Sequence, residues 1–381
     1  MKKKFFTAIG LMSGTSMDGV DLSVIKSDGY DEYSSILDEY YEYGDELFNN
    51  ITSLRDKIHK KSDLDKYKQN ITILEREITL FHSDIINKVL KKNNLQVDLV
   101  GFHGQTIYHN VEESISKQIG NGLLLSQLIK KEVVYNFRNN DLKNGGQGAP
   151  LAPIFHKMLV KKFSLEKALF INIGGIINSS TILNKGQLTA SDHGPGMCLI
   201  DEWIRKKTKK RFDKNGEISK SGKVDKIILN QAIDNLYSKF EIDKKNENTA
   251  NSIKSFDVKD FSLSFVKGLS LENGAATITN FTGTLIANGM SYAHGVSRPI
   301  MCKWLVCGGG RKNKYLLESI KNIFEEISIE PIDKYEIDGD FIESQAFGYL
   351  AIRSFLKLPI SFPTTTSCKK PISGGKIVEN F

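Results

Sequence analysis

Two well-separated segments each read as a β-strand, a short turn and a second β-strand. In the first, residues 13–19 separate the apolar runs FFTAIGLM and VDLSVIKS. In the second, Gly174 and Gly175 separate the two apolar runs of KALFINIGGIINSSTIL. Apolar, β-branched runs joined by a short polar or glycine turn are typical of a β-hairpin. The repetition predicts two related units, each opening on a hairpin, rather than a solenoid.

Strand patterns alternate with helical patterns along the rest of the chain. VDLVGFHG is predicted to be a buried strand that ends at His103, and residues 71–92 carry apolar side chains at helical spacing. Twice more, at residues 188–207 and 303–324, a strand is followed by a glycine turn and a helix. This alternation indicates the α/β class.

The length of 381 residues exceeds the roughly 250–300 at which one hydrophobic core stops growing, so two domains with a cleft are expected. Hydrophobic residues make up 40% and charged residues 25%, which excludes a disordered or fibrous chain. The net charge of +7 suits anionic substrates without identifying one.

The cysteines and the apolar runs bear on where the protein acts. Cys198, Cys302, Cys307 and Cys368 show no CxxC pairing and no histidine at zinc-finger spacing, so reduced thiols in a cytoplasmic protein are expected. The start MKKKFFTAIGLM is interrupted by Gly10 and lacks an A-x-A site, which argues against a signal peptide. No run approaches ~18 apolar residues, so no membrane segment is predicted.

The first hairpin turn is a candidate phosphate site. Small residues let backbone N–H groups approach phosphate oxygens, and a carboxylate can hold Mg²⁺ through water. An ordinary tight turn is the alternative. No GxxxxGK[ST] motif occurs, so a P-loop is excluded. The turn and the strand after it contribute Gly14, Thr15, Ser16, Met17, Asp18, Gly19 and Asp21.

Two further segments are candidate substrate contacts. His103 and Gln105 lie where a strand is predicted to end, a usual place for ligand contacts in α/β proteins, although a structural histidine is the alternative. Arg138 precedes a glycine-rich stretch that contains Gln147. Its guanidinium can fork onto a substrate hydroxyl or carboxylate, whereas a plain domain linker is the competing interpretation.

Three positions later in the chain are candidates for chemistry or nucleotide binding. Asp192 stands at a strand end beside a Gly-Pro-Gly turn and a helix N-terminus, which favours an ionised carboxylate able to act as a base. Glu343 begins an amphipathic helix. Capping or surface roles are the alternatives for both. The glycines Gly308, Gly309 and Gly310 would let a flat ring approach the backbone.

Taken together and in order, these segments resemble the signatures of one family. The match runs from Gly10 to about Thr366 and is to the anhydro-N-acetylmuramic acid kinase family of the actin and sugar-kinase superfamily. GLMSGTSMDGVD and GGQGAP are the most diagnostic. The other motifs are GFHGQTIYH, FRNNDLKNGGQGAPLAP, NIGGIINS, DHGPGMCLIDEW, CGGGRKN, ESQAFGYLA and LPISFPTTT.

The resemblance implies two ribonuclease-H-like, actin-type domains around a cleft. We expect the N-terminal domain to comprise residues 1–150 plus about 357–381, and the C-terminal domain residues 151–356. It also implies that the loop from Gly14 to Asp21 and the Gly174-Gly175 turn flank the phosphates of ATP, with Asp18 near Mg²⁺. By the same resemblance, Gly308 to Gly310 line the adenine side. The residues implied to face the sugar are His103, Gln105, Arg138, Gln147, Asp192 and Glu343.

The implied reaction opens 1,6-anhydro-N-acetylmuramic acid with water and phosphorylates O6, with Asp192 as the base, in peptidoglycan recycling. Its partner is a small amino sugar rather than nucleic acid or membrane, and a homodimer is expected by analogy. An ordinary sugar or carboxylate kinase and a non-catalytic ATP-binding switch are the alternatives.

Three positions depart from the family pattern, and one segment lacks the family's usual sequence motif. Asn136 stands where Asp is usual, His193 replaces Thr, and Met197 replaces Asn. The segment without that motif is residues 248–262. The geometry next to Asp192 is therefore expected to differ from that of other members.

Overall fold

The computed structural model describes residues 4–183, 186–240, 255–292, 302–324 and 327–381. The chain divides into two compact units, unit 1 (Met1–Glu166 with Asp340–Phe381) and unit 2 (Lys167–Gly339). These boundaries differ from those expected at residues 150 and 356. The helix Ile342–Phe355 packs on the strands of unit 1 and on the helix Pro153–Lys162, so both helices belong to unit 1.

The described strands and helices alternate along the chain, which confirms the α/β class. The strands are β1 (Phe6–Ser13), β2 (Gly19–Ser27), β3 (Tyr33–Glu42), β4 (Leu99–Asn110), β5 (Ile115–Ile119), β6 (Glu132–Tyr135), β7 (Ala168–Ile173), β8 (Ile176–Ile182), β9 (Leu188–Pro195), β10 (Lys303–Cys307), β11 (Ile329–Pro331) and β12 (Lys376–Val378). The helices are α1 (Asp45–Lys57), α2 (Lys61–Lys66), α3 (Lys68–Lys92), α4 (Gly122–Ile129), α5 (Asn139–Lys143), α6 (Pro153–Lys162), α7 (Met197–Lys207), α8 (Glu217–Ser221), α9 (Lys226–Lys239), α10 (Leu271–Tyr292), α11 (Lys314–Ile323), α12 (Ile342–Phe355) and α13 (Pro363–Thr366).

The sheet of unit 1 has the strand order β12-β6-β4-β1-β2-β3, with β5 paired to β4. Strands β1, β2 and β3 form an antiparallel meander, and β4 and β6 run parallel to β1. Three antiparallel strands followed by parallel ones is the ribonuclease-H-type arrangement. The predicted opening hairpin is confirmed.

Unit 2 repeats this arrangement with the order β11-β10-β7-β8-β9. Strands β7, β8 and β9 are antiparallel neighbours, and β10 and β11 run parallel to β7. The second predicted hairpin and the internal repeat are therefore confirmed. Because both units share one strand order, the chain has the two-domain, ribonuclease-H-like fold that the resemblance implied.

Glycines let α12 lie against the middle of the sheet in unit 1. An ideal Cβ on Gly10 would lie 1.9 Å from the backbone oxygen of Ser344, and one on Gly101 would lie 2.4 Å from that of Phe347. Since real Cβ atoms do not approach backbone oxygens so closely, any side chain at either position would push the helix away. A separate apolar cluster includes the buried side chains of α1, α3 and α4.

One predicted strand end is wrong. Strand β4 does not stop at His103 but continues to Asn110, with a register shift between its pairs with Leu11 and Ser13. Gly104 has φ +75°, a conformation that glycine adopts without steric cost. The bulge there turns the strand without ending it.

The core of unit 2 brings α7, α9, α10 and α11 against its sheet around Trp304, which is fully buried. Among the described residues, which include all four cysteines, no disulfide is formed. Among the described residues, no helix is long and apolar enough to cross a membrane.

Candidate functional site

The turn between β1 and β2 is anchored at one residue and exposed at its tip. Met17 has φ +59° and its side chain is 1% exposed within the core of unit 1. Its backbone N–H donates to the Gly14 carbonyl at 3.2 Å, and the Asp18 carbonyl accepts from Tyr43 N at 2.8 Å. A left-handed methionine is uncommon, so the packing of its side chain holds this conformation. Thr15 and Ser16 are exposed at the tip.

The turn offers hard oxygen ligands. The Ser16 hydroxyl donates to Oδ1 of Asp18 at 2.6 Å, and Asp21, on β2, is half-buried opposite Met12. Among the described residues, no three His, Cys, Asp or Glu side chains gather as metal ligands. The carboxylate and hydroxyl oxygens nevertheless suit Mg²⁺, which usually takes one or two carboxylates plus phosphate oxygens and water.

Gln105 supports this turn from β4. Its side chain is fully buried, accepts from Ser13 Oγ at 2.5 Å and donates from Nε2 to the Gly14 carbonyl at 3.0 Å. Both ends of the amide therefore bond within unit 1. The sequence placed Gln105 toward the sugar, whereas these contacts give it a role in fixing the turn.

His103 and Arg138 form a hydrogen-bonded pair. Arg138 stands at the N-cap of α5, and its guanidinium also donates from Nη1 to the Gly148 carbonyl at 2.9 Å. His103 is buried on β4 and contacts the ring of Phe347. These contacts place the Arg138 guanidinium beside the glycine-rich stretch that the sequence singled out.

A buried carboxylate that the sequence did not single out holds that stretch. Asp141 is 1% exposed and accepts from Gly148 N at 2.7 Å, from Ser361 Oγ at 2.6 Å and from Thr366 Oγ1 at 2.7 Å. Arg138 therefore binds the carbonyl of Gly148, and Asp141 binds its N–H. The backbone N–H of Gln147 donates to the Thr366 carbonyl at 2.8 Å, and its half-buried side chain lies 3.5 Å from Ser367 Oγ.

The remaining candidate of unit 1 is Glu343, which is half-buried in the first turn of α12. The helix starts at Ile342, so the prediction of a helix beginning here is confirmed to within a residue. A carboxylate in the first turn is favoured by the partial positive charge of the helix N-terminus.

The glycine turn of unit 2 is tied to α7. Gly196 N donates to the Gly175 carbonyl at 2.9 Å, and Met197 N donates to the Gly174 carbonyl at 2.8 Å. A Cβ on Gly174 would meet no atom closer than 3.7 Å, so this side of the turn is open. Met197 joins the turn through its backbone, which the departure from Asn does not alter.

Asp192 lies near the end of β9, only 6% exposed. Its Oδ2 accepts from Ser255 Oγ at 3.2 Å and from Phe256 N at 3.0 Å. Both donors lie within residues 248–262, the segment that lacks the family's usual motif, so no sequence pattern pointed to them. Residues 248–254 of that segment lie outside the described residues.

His193, the residue that follows the proposed base, is buried and makes a hydrogen bond to Ser179 on β8. Its Nε2 lies 2.7 Å from Ser179 Oγ. Successive strand residues point to opposite faces of a sheet. A Cβ on Gly289 of α10 would lie 2.1 Å from His193 Nδ1, so that glycine makes room for the ring. The departure from Thr is accommodated on the helix side of β9.

The triple glycine follows β10 as predicted. A 3₁₀ turn, Gly309–Lys312, precedes α11. A Cβ on Gly310 would lie 2.2 Å from Ile173, whereas one on Gly309 would have no atom within 4 Å. Gly309 therefore presents bare backbone on its open side, as contact with a flat ring requires.

Asn136, the third departure, has φ +58°. Asn and Asp are the side chains that tolerate this left-handed conformation best, so Asn keeps the backbone role that Asp would have.

Comparison with known proteins bears directly on these motifs. A family model described as anhydro-N-acetylmuramic acid kinase matches residues 6–380. The chain belongs to the anhydro-N-acetylmuramic acid kinase family. A protein of that name from Pelagibacter ubique (strain HTCC1062) is 52% identical over 384 residues, 100% of each chain. Another from Agrobacterium fabrum (strain C58 / ATCC 33970) is 35% identical over 387 residues, 98% of each.

Solved structures give weaker likenesses. A ROK family glucokinase from Streptomyces griseus in complex with glucose and AMPPNP has a TM-score of 0.38 and 11% identity, covering 91% of this chain and 99% of that one. A putative N-acetylmannosamine kinase from Listeria monocytogenes has a TM-score of 0.37 and 12% identity, covering 90% and 97%. The fold assignment therefore rests on the strand order of the two sheets.

Membership in the anhydro-N-acetylmuramic acid kinase family makes the protein an enzyme, a kinase that uses ATP on a small-molecule substrate. The alternatives of a non-catalytic switch and of a different sugar or carboxylate kinase receive no support from these matches.

Proposed function

We propose that the protein opens 1,6-anhydro-N-acetylmuramic acid with water and phosphorylates its O6 from ATP, giving N-acetylmuramic acid 6-phosphate in the cytoplasm during peptidoglycan recycling. The family match over residues 6–380 supports the substrate. The local observation that supports the chemistry best is the buried carboxylate of Asp192, oriented by two donors on Oδ2. A fixed carboxylate in a water-poor setting is suited to act as a general base.

Asp192 would take a proton from water as the water oxygen bonds to the anomeric carbon. The bond between that carbon and O6 then breaks, and O6 forms a bond to the γ-phosphorus as ADP leaves. An inverting glycosidase needs an acid to protonate its leaving oxygen. Here the phosphoryl group takes the place of that proton, so one carboxylate base suffices.

The sugar would be held by groups from unit 1. The Arg138 guanidinium carries a positive charge in a planar fork that suits the carboxylate of a muramic acid. Gly148, gripped by Arg138 and Asp141, fixes the stretch that contains Gln147. Glu343 would contact the reacting sugar from the first turn of α12, and its catalytic role rests on the family resemblance.

The nucleotide would be held mainly by backbone groups. The exposed tip at Thr15 and Ser16 offers N–H groups and hydroxyls to the phosphates, and the open sides of Gly174 and Gly309 admit ligand atoms close to the backbone. Mg²⁺, held by Asp18 directly or through water, would neutralise phosphate charge. Phosphoryl transfer depends chiefly on such positioning and charge stabilisation.

Mass spectrometry of the product made in ¹⁸O-water tests the proposal. We expect one solvent oxygen on the anomeric hydroxyl and none on the phosphate. A short time course, with reducing N-acetylmuramic acid as a parallel acceptor, controls for slow anomeric exchange. An ordinary kinase would phosphorylate the reducing sugar and place no solvent oxygen in it. Label on the phosphate, or no product from the anhydro sugar, would overturn the proposal.

A further inference from the structure

One buried cation in unit 2 is bonded to two carboxylates and one backbone carbonyl. Arg311 lies in the 3₁₀ turn after β10. Its Nε and Nη2 donate to the two oxygens of Asp333 at 2.8 and 2.9 Å. Its Nη2 also donates to Asp338 at 2.9 Å, and its Nη1 donates to the Gly308 carbonyl at 3.2 Å.

The burial of these groups is uneven. The Arg311 side chain is only 4% exposed, whereas those of Asp333 and Asp338 are 42% and 49% exposed. The carboxylates therefore keep much of their hydration while the guanidinium is fixed. The hydrogen bond from Arg311 holds the pKa of Asp333 below its usual range. A bidentate fork of this kind gives direction as well as charge, which an ammonium cannot reproduce.

The glycine turn beside Arg311 is held at both ends. Gly308 has φ +75°, and its N–H donates to the Gly339 carbonyl at 3.0 Å. Gly310 packs against Ile173, and a Cβ on Gly339 would lie 2.4 Å from Arg311 Nε. Arg311 thus binds the turn to residues 333–339, and Gly309 is left with its open side.

We infer that Arg311 is a positioning residue for the nucleotide, holding the Gly308–Gly310 backbone in the shape that receives the adenine ring. It acts through the Gly308 carbonyl and the two aspartates rather than by touching the ligand. This inference rests on the proposed function, which assigns the turn to ATP. It goes beyond that function because neither the glycine motif nor the family resemblance assigns a role to the side chain at this position.

Loss of the Arg311 side chain should weaken the binding of ATP but not that of the anhydro sugar. Loss of the fork lets the turn relax, so binding at the adenine side weakens while the sugar contacts of unit 1 keep their geometry. A purely structural role would instead lower the unfolding temperature and affect both ligands alike. The ratio of the two Michaelis constants therefore separates the two roles.

The test compares Arg311→Lys with Lys314→Met, which removes an exposed cation at the start of α11. Arg311→Lys is expected to raise KM for ATP about tenfold, the scale of one lost charge-assisted hydrogen bond, and to leave KM for the anhydro sugar within about twofold. Asp333→Asn should give a smaller rise in KM for ATP, and Lys314→Met none. Equal changes in both constants, or a lowered melting temperature with unchanged kinetics, would overturn the inference.

Calorimetric titration of each variant with ATP alone separates this inference from the proposed function. If the wild type binds ATP but does not turn over the anhydro sugar, the proposed function fails. A weakened Kd for ATP in Arg311→Lys would still support the positioning role. An unchanged Kd in a folded Arg311→Lys would refute it whatever the substrate.

Discussion

Arg138 donates to Nε2 of His103 from both Nε, at 3.2 Å, and Nη2, at 3.0 Å. Because Nε2 accepts, the ring proton belongs on Nδ1, which donates to the Gly104 carbonyl at 2.8 Å. Burial, and then the charge of Arg138, hold the pKa of His103 well below its usual 6.5. His103 is therefore neutral near pH 7 and serves to orient Arg138 rather than to donate a proton.

Arg138→Lys is expected to raise KM for the anhydro sugar about tenfold and to change KM for ATP by less than about twofold, because an ammonium cannot reach His103, Gly148 and a substrate carboxylate together. Steady-state kinetics with each substrate varied measure both constants. The matched control is Arg76→Lys, at an exposed position on α3. Equal weakening for both substrates would point to a structural role.

Gly14→Val is expected to weaken ATP binding about tenfold or more, because a branched side chain at the turn keeps phosphate from the backbone. A Cβ at Gly14 would meet only Ser16 Oγ, at 3.7 Å, so the fold should tolerate the change. Gly44→Val, in open space before α1, serves as the control. An unchanged Kd for ATP, measured by calorimetry on the folded variant, would remove the turn from the phosphate site.

Asp192→Asn should retain the fold and both substrates but lose roughly 10²- to 10⁴-fold in kcat, the scale of removing a general base. The amide oxygen of Asn can still accept from Ser255 and Phe256, so the local structure has a way to persist. Near-normal kcat would exclude Asp192 as the base. A collapse of substrate affinity with unchanged kcat would assign it to binding.

Gly289→Ala should destabilise the wild type by about 1–3 kcal/mol, since the new methyl would overlap the His193 ring. In a His193→Thr background the same change should cost far less, because the smaller side chain leaves room. Urea denaturation of the four proteins gives the coupling energy. An equal cost in both backgrounds would show that the His193 ring can move aside.

Buried neutral histidines should make unit 1 acid-sensitive. Burial lowers the pKa of His82 to about 4 and that of His156 to about 3, and both residues lie in unit 1. Below about pH 6.5 these two histidines therefore bind protons in the unfolded chain but not in the folded chain. The contribution of these histidines to the free energy of unfolding is fully present above that pH. It is lost as the pH falls toward 4, by up to about 1.4 kcal/mol per pH unit for each histidine.

Denaturant titrations between pH 7 and pH 4 measure this loss. His82→Leu should remove about 1.4 kcal/mol per pH unit from the slope between about pH 6 and pH 4. The control Ile73→Leu, at an exposed position on the same helix, removes no titrating group and should leave the slope unchanged. A wild-type slope retained in His82→Leu would contradict the assignment.

The sequence predicted features whose causes lie within a few residues. Both hairpins and the glycine turn of residues 308–310 follow from local periodicity and turn chemistry, and the structure confirms them. The end of β4 was misplaced because glycine after His103 reads as a strand end, whereas Gly104 supplies only a bulge. A bulge and an end share the same local signal.

Long-range contacts were beyond the sequence. In the sequence, Gly10 only interrupts an apolar run. In the structure, glycine is required there because the Ser344 carbonyl, in a helix far along the chain, leaves no room for a Cβ. The donors to Asp192, the hydroxyl partners of Asp141 and the carboxylate partners of Arg311 are likewise distant in sequence. The family motifs marked the neighbourhoods of these residues, but no pattern of nearby residues specifies which hydroxyl or carbonyl a side chain meets.

The return of the chain into unit 1 fixes an order of events during synthesis. Helix α12, which lies on β1 and β4, is encoded after all of unit 2. A chain growing from the ribosome can therefore complete Lys167–Gly339 while the first sheet still exposes the apolar face that α12 will cover. Domains tend to fold as units as they emerge. The unit translated first is consequently the one finished last, and its uncovered sheet is the surface that a chaperone would meet on the nascent chain.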